Sequence, residues 1–130
     1  TRLRRLWEAM GSNVDEMDAP HHDLVLAVVS HTPHLIAYTM VGVADHLRRV
    51  SNSEVIKYSA SGFRDFTRIA AANPELWWRI LGMNKAQVLA ATQRFQDDLD
   101  SLVLALEQDD VAAGTAMLQA AGERRQELDT

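Results

Sequence analysis

Cysteine does not occur in the chain, which removes disulfide frameworks, thiol nucleophiles and thiolate metal sites together and fits a cytoplasmic protein. Basic residues are in deficit, with 13 Lys and Arg against 18 Asp and Glu for a formal charge of -5. No basic stripe interleaved with aromatics occurs either, so nucleic acid is not an expected partner. The longest uninterrupted apolar run, Leu24 to Val29, is too short to cross a bilayer, and no membrane partner is expected. Nothing at the N-terminus has the pattern of a signal peptide. No Gly-x-Gly-x-x-Gly is present, so a dinucleotide phosphate loop is not expected on this chain. Strand-like alternation is not sustained past residue 17, and repeats and low-complexity tracts are missing too.

What remains is helical. The 130 residues, 47% of them hydrophobic, suffice for one domain with a core but not for a cofactor domain plus a substrate domain. Leu3, Leu6, Trp7 and Met10 recur at helical spacing and Gly11 follows as a C-cap, which predicts a short amphipathic helix ahead of an extended connector around Val14. Asp18-Ala19-Pro20 is a helix start, with Asp as N-cap and Pro in the first turn. The apolar pattern then runs from Leu24 to Val50, and the all-round apolarity of Leu24 to Val29 predicts a helix buried on most sides. Pro33 interrupts it and predicts a kink, because proline has no N–H for the carbonyl of Val29. Ser51 to Tyr58 reads as a connection with a short helical turn from Ser53. Asn73 is placed to cap a helix with Pro74 and Glu75 in its first turn, ending at Gly82. Asn84 with Gln87 suggests a capping box. Val88, Ala91, Phe95, Leu99, Leu102 and Leu106 then mark a long helix, and after a turn at Gln108-Asp109 a last helix completes an antiparallel hairpin that serves as packing scaffold.

Three groups of residues carry chemistry. The first is Ser59-Ala-Ser-Gly-Phe-Arg-Asp-Phe-Thr-Arg-Ile-Ala70, a small-residue turn running into a helix. Ser61 is a plausible N-cap, Gly62 allows close backbone approach, and free N–H groups would face an anion. Arg64 and Arg68, four apart, share a helix face, with Asp65 positioned to offset their repulsion. The spacing fits a surface helix with one Asp–Arg pair as well as it fits a carboxylate site gripped by guanidinium. The second group is Ser30, His31 and His34 at the proline, where the two histidines lie close on one face. His21, His22 and Asp23 lie nearby, but no His-Glu-x-x-His pattern or cysteine supports a metal, and none is expected. The third is Trp77-Trp78. Adjacent residues cannot both face one core, so one packs inside while the other reaches a partner subunit or a ligand pocket.

Two of these segments resemble a known family. Ser61-Gly-Phe-Arg-Asp-Phe-Thr-Arg-Ile-Ala70, with Asn73-Pro-Glu-Leu-Trp77, is similar to the C-terminal half of the prephenate dehydrogenases. So is His22-Asp23 followed by Ser30-His-Thr-Pro-His34. Thr32 stands where the family usually has Leu, and Ser59-Ala-Ser-Gly62 replaces a run richer in glycine. The resemblance covers nearly the whole chain. It implies an all-α domain of the 6-phosphogluconate dehydrogenase C-terminal-like type, with long helices intertwined in a homodimer. Residues 1-17 would be the remnant of a nucleotide-binding domain, and residues 18-130 the substrate-binding and dimerisation domain. The implied reaction is oxidative decarboxylation of prephenate, or of arogenate, with hydride passing to NAD or NADP bound mainly by the domain that would precede Thr1. Substrate contact falls to Arg68, His34, Gly62, Ser61 and Trp77, with Trp77 near the active site across the dimer interface. His22, His31, Asp65 and Arg64 support them. The proton-accepting histidine belongs to the other half, so the fragment alone is expected to turn nothing over. Two rival readings remain: the helical half of another hydroxy-acid dehydrogenase, and a non-enzymatic helical dimerisation module.

Overall fold

The computed structural model describes residues 1–46, 54 and 61–129. The fold is all-α, with no strand among the described residues. Contacts divide the chain into two units, Thr1–Val88 and Leu89–Thr130.

In the first unit, α1 (Arg2–Ala9) begins at Thr1, whose hydroxyl accepts from the Arg4 N–H at 3.1 Å. It closes as the sequence predicts. Gly11, at φ +88°, donates to the Glu8 carbonyl while Ser12 donates to that of Trp7, which is the paired Schellman closure. The apolar face of α1 stays open, with Leu3, Leu6, Trp7 and Met10 all about half exposed or more. Next, α2 (Ala19–Leu26) is capped by Asp18, whose carboxylate accepts from His21 N–H at 2.9 Å.

A π-helical turn, Ala27–His31, joins α2 to α3 (Thr32–His46), and the Thr32 N–H reaches back five residues to the Ala27 carbonyl. The break expected at Pro33 therefore takes the form of a widened turn just before it. Proline has no N–H and crowds the carbonyl four residues back, and one extra residue per turn relieves that crowding without ending the helix. Burial along this helix is narrower than its composition predicts. Ala27, Thr32 and Ala37 are buried, whereas Leu24, Val28 and Val29 are 43%, 56% and 64% exposed. The span Ala19–Ala44 is long and apolar enough, by those two measures alone, to cross a membrane, because short polar interruptions that break an apolar run do not break a helix.

The connection expected at Ser51–Tyr58, apart from Glu54, and Ser59–Ala60 lie outside the described residues. Ser61 opens α4 (Ser61–Thr67), which passes into a 3-10 turn, Arg68–Ala71. Both pack on α3. Asn73 then caps α5 (Pro74–Met83), its side chain accepting from the Leu76 N–H at 3.1 Å. The capping box expected at Asn84 does not form. The Asn84 side chain turns away from its own helix, α6 (Lys85–Glu107), to bond residues far back in the chain.

The second unit contains the rest of α6 and the last helix, α7 (Val111–Glu127). Asp109, at φ 51°, takes the left-handed position between them, and the Asp109 and Asp110 N–H groups close on Leu106 and Ala105. Asp110 caps α7 by accepting from the Ala113 N–H at 3.0 Å. The hairpin is as predicted, but its apolar stripe is not covered within the chain: Ala105 is buried while Leu106, Val111 and Leu118 are mostly exposed.

Candidate functional site

The π turn and the first turn of α3 carry His31 and His34, which the structure places on Trp77 of α5. The His34 ring stacks on Trp77 with centroids 3.4 Å apart and planes 13° from parallel. His31 meets the same indole edge-on at 6.2 Å. Trp77 is half-buried by this contact, and Trp78 is 77% exposed, so the two tryptophans separate as residues a helical step apart must. Within the chain, Trp77 is the ring on which both histidines meet.

Each histidine has one ring nitrogen engaged. His34 Nδ1 lies 2.8 Å from the Ser30 carbonyl oxygen. A carbonyl only accepts, so Nδ1 carries the hydrogen and neutral His34 presents Nε2 as an acceptor. His31 Nδ1 lies 3.1 Å from the Asn84 side-chain nitrogen, which also donates to the Asp23 carbonyl at 2.7 Å. Burial holds His31 below the ordinary imidazole pKa; His34 and His22 add to the depression, and Asp23 opposes it. His22, one of the expected supporting residues, sets its Nδ1 3.2 Å from the Asp23 carboxylate, and Asp18 caps the helix start.

Tyr38, one turn beyond His34 and on the same face of α3, donates to the Ala72 carbonyl at 2.8 Å. That bond ties the end of the 3-10 turn to α3 and so carries the arginine-bearing segment to the face that holds His34. Sequence spacing could have found Tyr38, four residues after His34. The helix-face argument for Arg64 and Arg68 changes, because α4 stops at Thr67 and Arg68 starts a tighter turn. Arg64, Asp65, Arg68 and Gly62 are all exposed. Asp65 is not paired with Arg68, and Arg68 has no ion-pair partner among the described residues. A Cβ added to Gly62 would meet nothing within 4 Å, so the backbone there is open to approach.

No group of three His, Cys, Asp or Glu is arranged to hold a metal among the described residues. Nor do the residues fit a dinucleotide: no strand–loop–helix unit occurs among those described, and the six glycines, at 11, 42, 62, 82, 114 and 122, form no phosphate-binding loop. Thr32 Oγ1 is buried without a hydrogen-bond partner beside the π turn.

Comparison with known proteins gives a consistent result. The family described as "Prephenate dehydrogenase, dimerization domain" matches residues 18–120. A cyclohexadienyl dehydrogenase of Zymomonas mobilis is 40% identical over 104 residues, covering 80% of this chain and 36% of that protein. A prephenate dehydrogenase of Bacillus subtilis is 33% identical over 109 residues, covering 84% of this chain and 29% of that protein. The chain thus spans about a third of the length of these relatives. Among solved structures, a prephenate dehydrogenase from A. aeolicus in complex with hydroxyphenyl propionate and NAD+ superposes with a TM-score of 0.87 at 32% identity, over 98% of this chain and 44% of that one. A Synechocystis arogenate dehydrogenase, 23% identical, shares the fold with a TM-score of 0.83, over 98% of this chain and 46% of that one.

Proposed function

Because the chain belongs to the prephenate dehydrogenase dimerization-domain family, we propose that it is the helical, dimer-forming and substrate-holding part of a cytoplasmic NAD- or NADP-dependent dehydrogenase acting on prephenate or arogenate in tyrosine biosynthesis. The observation that carries this reading is the stack of His34 on Trp77, on the face of α3 to which Tyr38 ties the Arg68 turn. An aromatic wall and an imidazole, with an arginine-bearing turn tied to the same helix, suit an anionic six-membered ring.

Arg68 grips a substrate carboxylate through paired N–H groups, the geometry for which guanidinium is best shaped. Gly62 and Ser61 at the start of α4 line the approach, and Arg64 and Asp65 set the local charge. His34 offers Nε2 to the ligand: when neutral it accepts from a hydroxyl or an ammonium, and when protonated it donates to a carboxylate. Trp77 fixes the imidazole plane and supplies the aromatic wall, with His31 edge-on to the indole and His22 as a supporting residue. The protein's part is positioning and charge stabilisation, with hydride chemistry left to the nicotinamide. The nicotinamide and the proton acceptor are assigned to sequence outside residues 1–130, since no cradle for the dinucleotide occurs among the described residues, and the 130 residues alone are expected to give no turnover. The exposed apolar faces of α2, α3, α6 and α7 are read as dimer surface, which also accounts for the apolarity of Ala19–Ala44 without a bilayer.

Hydroxyphenyl propionate, a ligand of the A. aeolicus relative, is the probe. Titrated into the chain and followed by tryptophan emission, it should bind, and Arg68→Ala should weaken it about ten- to a hundredfold, the worth of a charge-assisted contact of about 1.5–3 kcal/mol. Equal affinity for wild type and Arg68→Ala would remove Arg68 from the site.

A further inference from the structure

The Asn84 side chain is 9% exposed and lies between two groups whose chemistry fixes its orientation. The Asp23 carbonyl oxygen only accepts, so the atom 2.7 Å away is the amide nitrogen, with its two hydrogens. That nitrogen has only hydrogens to offer His31 Nδ1 at 3.1 Å, so Nδ1 carries a lone pair and the proton of neutral His31 sits on Nε2. His34, bonded through Nδ1–H to the Ser30 carbonyl, is the opposite tautomer. Two imidazoles on successive turns, both touching Trp77, thus differ in the role of their remaining nitrogen: a donor on His31 and an acceptor on His34.

We propose that Asn84 is a positioning residue of the ligand site, acting through His31 by fixing it as the neutral Nε2–H donor beside the His34 acceptor. This rests on the reading of His34, Trp77 and Arg68 as ligand-binding. Protonating His31 would set an N–H against the Asn84 amide hydrogens, so the asparagine also keeps the ring uncharged. Burial and the neighbouring His34 and His22 act in the same direction, while the Asp23 carboxylate opposes them. Flipping the amide offers no escape, because it would turn an oxygen toward the Asp23 carbonyl.

The test is nitrogen-detected tautomer assignment of histidine-labelled chain, followed by pH titration. Wild type should show His31 protonated on Nε2 and His34 on Nδ1. Asn84→Asp places an acceptor at Nδ1 and should move the His31 proton there and raise its pKa by about one unit or more, with His34 unchanged as the control for folding. Hydroxyphenyl propionate should then bind Asn84→Asp with a shifted pH profile, whereas Arg68→Ala should weaken binding at every pH. A wild-type His31 protonated on Nδ1 overturns the proposal even if the variant does not fold. So does an unchanged pH profile of binding in a variant whose tautomer has switched. If wild type shows the expected tautomers but binds no ligand, the ligand-binding reading fails while the Asn84–His31 lock stands.

Discussion

His31 makes the stability of the fold depend on pH in a direction that can be worked out. In the folded chain its pKa lies below the ordinary 6.5, chiefly through burial, so between the two values the unfolded chain binds the proton more readily. Stability from this residue is therefore complete above about pH 6.5 and declines as pH falls through that value to the folded one. The melting temperature of wild type minus that of His31→Gln should be flat above that point and fall on acidification; a difference that does not vary with pH would contradict the assignment. The closeness of His31 and His34 was legible from their spacing of three. Their opposite tautomers were not, because the amide that sets His31 lies 53 positions away and no local pattern announces it. Arg68 was legible as an exposed cation, but its spacing of three from Asp65 does not become an ion pair among the described residues, and nothing in the structure explains why.

The capping residues Asp18 and Asn73 were the most readable part of the elements, each bonding the N–H three residues on, as Asp110 also does, since a short polar side chain before a helical pattern has one good use. Asn84 obeys the same pattern and does something else, because two part-buried acceptors elsewhere outweigh one N–H at the helix start. The turn between α6 and α7 carries a local cost. Asp109 occupies the left-handed position, at φ 51°, where a Cβ costs about 1–2 kcal/mol and glycine nothing. Asp109→Gly, after the greater freedom glycine gives the unfolded chain is subtracted, should stabilise the hairpin by about 0.5–1 kcal/mol. The measurement is the denaturant midpoint, and a loss of stability would mean that the aspartate side chain contributes more than the strain removes.

For the molecule, the telling quantity is how little of its apolar surface it covers. The buried apolar residues are Ala27, Ala37, Val88 and Ala105, and no large side chain is fully enclosed among the described residues. The apolar stripes were read correctly as stripes, but a stripe does not say whether its cover comes from the same chain. If a second copy supplies that cover, the chain should sediment as a dimer at micromolar concentration and its melting temperature should rise with concentration. A monomeric mass there would count against the dimer. One irregularity bears on how the interior holds together. Along a regular α-helix the eight steps from Asp23 to His31 turn through about 800°, leaving the second residue some 80° around the cylinder from the first. The π turn at Ala27–His31 rotates less per residue and swings His31 back beneath Asp23, within reach of one amide. Deleting a residue there would restore the regular helix and carry the two partners of Asn84 to different sides of it.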